Sequence, residues 1–392
     1  MLTKNIKFKN FFKIKKRDKI FKIFKDLKQF FFYKKDNIFL SFSKNYKYSF
    51  DQKVLNRFKK FSNFRIIGTG GSILGAEAIY QFLNHRIKKN FYFFNNLEPQ
   101  INFIKYNKKK IANIVISKSG NTLETIANSN IILKNKKNNI FITEKKNNYL
   151  TRLANQMRAE IIEHKNFIGG RYSVLSEVGM LPAQLMGLSE KKFKQFNVLI
   201  KNKSFLNNLI QNVGSILELV RKGKNVSVIL NYDKKSENLF KWYQQLVAES
   251  LGKKSQGILP LISSMPKDNH SLMQLYLDGP KKNFYTFFNV FEKKSDLINS
   301  QRLLKSHSYL KKKNIYDILY IQKKATENVF KNKNIPFRSF EVISRNEETL
   351  GQIFCFFILE TILLGKALKV NPFDQPSVEL IKKETKKIFL SN

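Results

Sequence analysis

The chain has very little cysteine and few histidines. Cys355 is the only cysteine among 392 residues, so neither a disulfide framework nor a thiolate zinc site can form within one chain. It lies in an apolar run, and we expect a buried, unreactive thiol. Four histidines are present, and none has the spacing of a metal site, so we expect no metal: His85, His164, His270 and His307.

Long uncharged stretches are also missing. The aromatic run at residues 30–33 is too short for the apolar core of a signal peptide, and no later run reaches about 18 uncharged apolar residues. We therefore expect a soluble, cytoplasmic protein with no membrane segment.

Acidic residues are scarce: 29 Asp and Glu stand against 72 Lys and Arg, for a formal net charge of +43. Such a charge can indicate nucleic-acid binding through phosphate contacts. The basic residues, however, are mostly lysines scattered through every predicted element, and no arginine cluster with stacking aromatics is present. We interpret the charge as compositional bias and expect no specific nucleic-acid partner, although a positive field attracts small dianions.

From Phe64 onward, short β-branched runs alternate with helical stretches, which is typical of parallel sheets with crossover helices. The sequence predicts an α/β fold with two three-layer αβα units and a C-terminal helical arm. We divide the chain into a helical or arm segment (1–50), a first unit (51–190), a second unit (191–366) and the C-terminal arm (367–392). The predicted strands are Phe64–Ile67, Phe91–Phe94, Asn113–Ile116, Asn139–Thr143, Glu160–Glu163, Asn225–Leu230, Gly257–Ile262, Phe284–Val290 and Phe340–Ile343.

A glycine-rich turn follows the first predicted strand. Gly68, Gly70 and Gly71 let the backbone turn sharply and expose its N–H groups, and Ser72 adds a hydroxyl near a helix N-terminus. This pattern favours a phosphate, although a simple tight turn is an equal alternative.

A hydroxyl-rich turn follows the strand at 113–116, with Ser117, Ser119, Asn121 and Thr122 at the start of the next helix. Ordinary helix capping is the alternative, but capping needs one hydroxyl and not three. Because open α/β sheets bind ligands beyond the carboxyl ends of their strands, the two turns together predict a composite phosphate pocket.

Glu249 stands out among glutamines and small residues just before Gly252. It shares a helix face with Gln245 at i, i+4, so both can address one ligand. A carboxylate in such a place can act as a general base. A solvated glutamate on an amphipathic helix is the alternative.

The two turns resemble the SIS (sugar isomerase) domain. Further segments closely resemble, in order, the signatures of the glucose-6-phosphate isomerase family: residues 167–179, 242–254, 267–280 and 371–382. The resemblance covers about residues 64 to 390. It implies two SIS-type units and an enzyme without metal or cofactor that interconverts glucose 6-phosphate and fructose 6-phosphate by ring opening and a cis-enediol.

Roles follow from the resemblance. Glu249 is the expected base, and Arg171 is expected to stabilise the enediolate and keep the base ionised. His270, contributed by the neighbouring subunit of a homodimer, and Lys382 are expected to assist with the cyclic sugar. The expected substrate and phosphate contacts are Gly71, Ser72, Ser117, Lys118, Ser119, Thr122 and Gln245.

Without the resemblance, each catalytic candidate has a plainer interpretation. Arg171 could be a loop ion-pair residue, His270 a surface residue beside Asp268, and Lys382 a solvated lysine. Two positions depart from the family pattern: Asn121 stands where Thr is usual, and Ile381 where Gly is frequent. The alternatives are a non-catalytic SIS-type phosphosugar-binding protein and an isomerase that also accepts mannose 6-phosphate.

Overall fold

The structure is a computed structural model that describes residues 1–14, 20–26, 38–101, 111–134 and 136–391. The aromatic run at 30–33 lies outside the described residues. The strands are β1 (Ile6–Lys9), β2 (Asn63–Ile67), β3 (Asn90–Phe94), β4 (Ile111–Ile116), β5 (Asn139–Thr143), β6 (Glu160–Glu163), β7 (Val226–Asn231), β8 (Leu259–Ser264), β9 (Asn283–Val290) and β10 (Phe337–Val342). The helices are α1 (residues 20–26), α2 (Gln52–Lys59), α3 (Leu74–Leu83), α4 (Leu123–Ile132), α5 (Tyr149–Gln156), α6 (Glu177–Leu185), α7 (Glu190–Phe193), α8 (Phe196–Leu199), α9 (Lys203–Arg221), α10 (Glu237–Leu251), α11 (Met273–Asp278), α12 (Ile315–Asn332), α13 (Glu347–Ala367) and α14 (Val378–Ser391).

The first sheet contains five parallel strands in the order β3-β2-β4-β5-β6. The chain moves from β2 to β3 on one side and then to β4 on the other. The order of the strands therefore reverses between β2 and β4, and open α/β sheets bind ligands in the crevice at such a reversal.

The second sheet has the order β1-β10-β9-β7-β8, with β7 to β10 parallel and β1 antiparallel to β10. All nine predicted strands are present, with ends that differ by up to three residues, so the predicted mixed α/β fold with parallel sheets and a C-terminal helix is confirmed. The four-part division of the chain stays a prediction.

Strand β1 was not foreseen, because residues 1–50 were expected to be helical or an arm. Its residues Ile6-Lys-Phe-Lys9 alternate apolar and charged side chains, which is the period of a half-buried strand. Ile6 is fully buried, and Phe8 packs against Phe340 of β10 with ring centroids 4.6 Å apart. The N-terminal segment thus extends the second sheet.

Helix α10 lies at the centre of the molecule. It packs on α3, which follows the glycine-rich turn, and on α13. Its side chains Trp242 and Tyr243 are buried against Phe354 and Phe357 of α13. The largest cluster of buried apolar side chains includes residues of both sheets and of α10.

Helix α13 is, in the described part of the chain, the one helix long and apolar enough to cross a membrane, yet 89% of that stretch is buried inside the structure. Cys355 lies within it, unpaired and 1% exposed, as predicted. Burial raises the pKa of this thiol to about 12, which keeps it protonated.

Candidate active site

The glycine-rich turn lies beyond the carboxyl end of β2, at the point where the strand order reverses. Gly70 has a positive φ of 57°, and a Cβ atom there would lie 2.8 Å from Nε2 of Gln245. A Cβ atom on Gly71 would lie 2.2 Å from the carbonyl carbon of Gly170. The two glycines therefore allow the turn to touch both α10 and the backbone that precedes Arg171, while Ser72 stays half-buried beside them.

The hydroxyl-rich turn lies beyond β4, which pairs with β2. The hydroxyls of Ser117 and Thr122 lie 2.8 Å apart, and Ser119 Oγ accepts a hydrogen bond of 3.3 Å from the N–H of Asn121. Thr122 occupies the N-cap position of α4, yet its side chain makes no capping hydrogen bond. Helix capping therefore does not explain the hydroxyls, which remain grouped at a helix N-terminus that favours an anion.

Two side chains of this turn, Asn121 and Lys118, already interact with other parts of the protein. Asn121 accepts a hydrogen bond of 3.0 Å from the N–H of Tyr149, so it holds the loop together. Lys118 donates to the carbonyl of Asn166 at 2.8 Å and lies 3.8 Å from Glu144. Burial lowers the pKa of Lys118.

Arg171 is 2% exposed and follows the glycine pair at the start of a short 3-10 helix, Gly170–Leu175. Its Nη1 lies 3.5 Å from Oε2 of Glu249, whose side chain is 21% exposed. The structure thus brings these two predicted catalytic residues together, although 78 positions separate them in the chain. A buried guanidinium therefore places a fixed positive charge beside a partly exposed carboxylate.

Gln245 connects this pair to the glycine-rich turn. The two residues share one helix face, as the i, i+4 spacing predicted, and Nε2 of Gln245 donates a hydrogen bond of 3.2 Å to Oε2 of Glu249. Oε1 of Gln245 is buried and has no hydrogen-bond partner among the described residues, which leaves an acceptor for a ligand hydroxyl. Both contacts to Glu249 converge on Oε2, and among the described residues no hydrogen bond is made to Oε1.

His270 and Lys382 are not brought to this pair. His270 is exposed and follows a 3-10 turn, Lys267–Asn269, beyond β8. The side chain of Lys382 is 58% exposed and pairs with Glu379 at 2.6 Å on α14, a helix without buried residues. Within the described ranges, neither contacts Arg171 or Glu249, and their assigned roles stay predictions.

Three features of the site were missed from the sequence. Ser250 accepts a hydrogen bond from Nε of Arg171 at 2.9 Å, and Gln375 accepts one from Nη1 at 2.8 Å. Nη2 donates to the carbonyls of Pro372 and Asp374 at 2.7 and 2.9 Å. The segment Asn-Pro-Phe-Asp-Gln at 371–375 was recognised as part of a family signature, but its contacts with Arg171 were not predicted.

The described side chains contain no group of three or more His, Cys, Asp or Glu residues that could hold a metal ion. The site instead combines a hydroxyl-lined turn, backbone N–H groups, one carboxylate and one guanidinium. Such a set can bind a phosphorylated ligand and move a proton to or from carbon.

Comparison with known proteins gives a consistent result. The family model described as phosphoglucose isomerase matches residues 48–263. A glucose-6-phosphate isomerase of Methanocaldococcus jannaschii is 32% identical over 344 residues, which cover 82% of this chain and 83% of the relative. A glucose-6-phosphate isomerase of Mycoplasmopsis pulmonis is 33% identical over 350 residues, which cover 82% of each chain.

Solved structures share the fold. A hypothetical protein from Thermus thermophilus superposes with a TM-score of 0.82 at 22% identity, covering 95% of this chain and 96% of the other. A glucose-6-phosphate isomerase from Chlamydia trachomatis superposes with a TM-score of 0.69 at 19% identity, covering 86% of this chain and 71% of the other. By its sequence match over more than half its length and by its relatives, the chain belongs to the phosphoglucose isomerase family.

Proposed function

We propose that the chain interconverts glucose 6-phosphate and fructose 6-phosphate by moving a proton between C1 and C2 through a cis-enediol. The observation that carries the proposal is the pairing of Glu249 with Arg171 at 3.5 Å, next to the glycine-rich turn. Family membership supports the same reaction. A phosphosugar-binding module without catalysis would have no need of this pair.

The phosphate of the substrate binds at the hydroxyl-rich turn. Ser117, Ser119 and Thr122 offer hydroxyls there, and the N-terminus of α4 offers N–H groups. Ser72 adds a hydroxyl from the neighbouring turn. This anchoring places the other end of the sugar toward Gln245 and Glu249, so that binding energy at the phosphate orients the reacting carbons.

Glu249 acts as the base. Its Oε2 is held by Gln245 and Arg171, so Oε1 is the oxygen free to accept the proton from C2 of the aldose and return it to C1. Arg171 supplies a positive charge beside the base, which stabilises the negative charge that develops on the enediolate.

Ring opening requires groups that this subunit does not place beside Glu249. We assign it to His270 of a second subunit in a homodimer, with Lys382 assisting. The exposure of His270 supports this assignment, as does α14, where Ile381, Ile388 and Phe389 are all exposed. Exposed apolar side chains in one helix are typical of a contact surface.

We further propose that the protein acts in the cytoplasm, in glycolysis and gluconeogenesis. The single unpaired cysteine supports a reducing compartment, because disulfides persist only in oxidising ones.

The test is a coupled assay that converts fructose 6-phosphate to glucose 6-phosphate without added metal. Glu249→Gln keeps the size of the side chain but removes the base, so we expect kcat to fall by about 10²- to 10⁴-fold and proton exchange at C2 to stop, while phosphosugar binding stays near normal. Glu237→Gln is the matched control, since Glu237 lies on the same helix and pairs with Lys241 at 3.7 Å on the surface. Unchanged turnover in Glu249→Gln would remove Glu249 from its role.

A further inference from the structure

The guanidinium of Arg171 is fully occupied by the protein. Its five N–H donors face five acceptors: Ser250 Oγ, Gln375 Oε1, the carbonyls of Pro372 and Asp374, and Oε2 of Glu249. Only Glu249 among these five carries a charge. The four neutral acceptors therefore decide how the plane of the guanidinium is turned toward Glu249.

The directions of the hydrogen bonds around Ser250 and Tyr172 can be assigned. A carbonyl oxygen only accepts, so the phenol proton of Tyr172 goes to the carbonyl of Pro372 at 2.8 Å. The bond of 2.9 Å between the hydroxyls of Tyr172 and Ser250 is then donated by Ser250. The oxygen of Ser250 in turn accepts from Nε of Arg171 at 2.9 Å.

These bonds form a closed ring. The direction runs from Arg171 Nε to Ser250, from Ser250 to Tyr172, and from Tyr172 to the carbonyl of Pro372, which also accepts from Nη2 of Arg171. Arg171, Ser250 and Tyr172 are each at most 2% exposed, so water does not compete for these bonds. A closed, dry ring holds the guanidinium in one rotation.

We propose that the hydroxyls of Ser250 and Tyr172 are positioning groups, which turn Arg171 so that its charge acts on Oε2 of Glu249 and leaves Oε1 free to accept the substrate proton. The proposal rests on the function proposed above and adds two residues to which no role was assigned. Neither hydroxyl touches the substrate in this arrangement, since both are used within the ring.

Other charged groups face the same network. Lys253 interacts electrostatically with Arg171 and Glu249 and pairs with Asp374 at 3.1 Å, and Lys118 interacts with Arg171 from the phosphate side. In the described part of the chain, neither lysine bonds to the hydroxyl of Ser250 or Tyr172, and Lys253 donates instead to the backbone carbonyl of Ser250 at 3.1 Å. Removing either hydroxyl therefore deletes no hydrogen bond of the two lysines.

The experiment compares the steady-state kinetics of Ser250→Ala and Tyr172→Phe with those of the unaltered enzyme. In both variants we expect kcat to fall roughly tenfold while KM for fructose 6-phosphate stays within about twofold, because the guanidinium of Arg171 is no longer held in the orientation that serves the reacting carbons. Ser250→Thr keeps the hydroxyl and restores kcat.

Ser215→Ala is the matched control. Ser215 is also fully buried and hydrogen-bonded, to the carbonyls of Phe12 and Gln211, but it lies on α9 outside the site. We expect this variant to lose stability without a loss of kcat. Tyr172→Phe provides a second route should Ser250→Ala fold poorly.

The outcomes separate two kinds of failure. The positioning role alone would be overturned if the unaltered enzyme is active and Glu249→Gln is inactive, but Ser250→Ala and Tyr172→Phe keep the unaltered kcat. An unaltered protein without isomerase activity would instead overturn the proposed function.

Discussion

The buried ion pair beneath the catalytic helix offers a quantitative test of the structure. Arg338 of β10 and Glu360 of α13 are paired, and both side chains are 0% exposed. Asn212 and Tyr243 each bond to both members of the pair, and Thr286 accepts from Nε of Arg338 at 2.9 Å. Tyr243 lies on α10, two residues before Gln245, so this network supports the helix that carries the proposed base.

We expect Glu360→Gln to lower the free energy of unfolding by about 3–5 kcal/mol, because the guanidinium of Arg338 stays buried without its counter-charge. Arg338→Met leaves the carboxylate of Glu360 buried without its counter-charge and should lower the free energy of unfolding by a similar amount. The double variant Arg338→Met/Glu360→Leu removes both charges and leaves only neutral partners, Asn212, Tyr243 and Thr286, with lost hydrogen bonds, at a cost of about 1 kcal/mol each. The double loss should therefore be smaller than the sum of the single losses by several kcal/mol.

Urea unfolding at 25 °C, followed by the fluorescence of Trp242, is a suitable assay because Trp242 is the only tryptophan and is 1% exposed on α10. The matched control is the surface pair Glu218 and Lys222, 3.1 Å apart on α9, for which the same double-mutant cycle should give about 0.5 kcal/mol or less. Losses at Arg338 and Glu360 that add within about 0.5 kcal/mol would refute the argument that the two charges depend on each other.

Three further predictions concern buried or ligand-facing polar groups. Burial raises the pKa of Glu77 to about 7, so the folded protein loses stability as the pH rises from about 4.5 through 7. Glu77→Gln still accepts a hydrogen bond from Asn95 but cannot ionise. Urea unfolding should therefore show that this variant stabilises the protein by about 2 kcal/mol more at pH 8 than at pH 5. Burial lowers the pKa of His164 to about 4, so between pH 7.5 and 5 only the unfolded chain takes up a proton at this histidine. The free energy of unfolding should therefore fall by about 2 kcal/mol over this range because of His164, and this contribution should be absent in His164→Phe. Thr122→Ala should raise KM for fructose 6-phosphate roughly tenfold with little change in kcat, measured by steady-state kinetics, because a bond to phosphate is lost in the ground state and transition state alike.

Each of these has a clear contrary result. A Glu77→Gln variant equally stabilised at both pH values would show that the carboxyl is not held protonated. If the stability of His164→Phe depended on pH in the same way as that of the unaltered protein, other groups would be responsible for the loss of stability in acid. An unchanged KM in Thr122→Ala would place the phosphate elsewhere.

Much of the fold could be predicted from local pattern. The β-branched runs and the helical stretches between them led to nine of the ten strands in the described residues, since central strands such as β4 and β5 bury both faces in a parallel sheet and are therefore almost continuously apolar. The exception, β1, lies in a segment rich in Lys and Phe, where its period of two spans only four residues. A pattern that short does not distinguish a strand from an arm.

The two loops and the Gln245–Glu249 face were also predictable, because they depend on spacing of a few residues within one strand-to-helix connection. Each of these features involves residues that are close together in the chain: the glycines of one turn, the hydroxyls at one helix start, and one pair at i, i+4. Resemblance to a family then suggested a role for Arg171, which no spacing within the chain indicated.

The amino-acid order alone was enough for the class of fold, for the two turns beyond the strand ends and for the shared helix face of Gln245 and Glu249, because local periodicity and short-range hydrogen bonding decide these. The ring that orients Arg171 was decided only by the folded chain: Ser250 and Pro372 lie 79 and 201 positions from Arg171 and meet it through packing of α10 and the segment before α14. Contacts across such separations depend on how whole elements pack, and no local pattern encodes that.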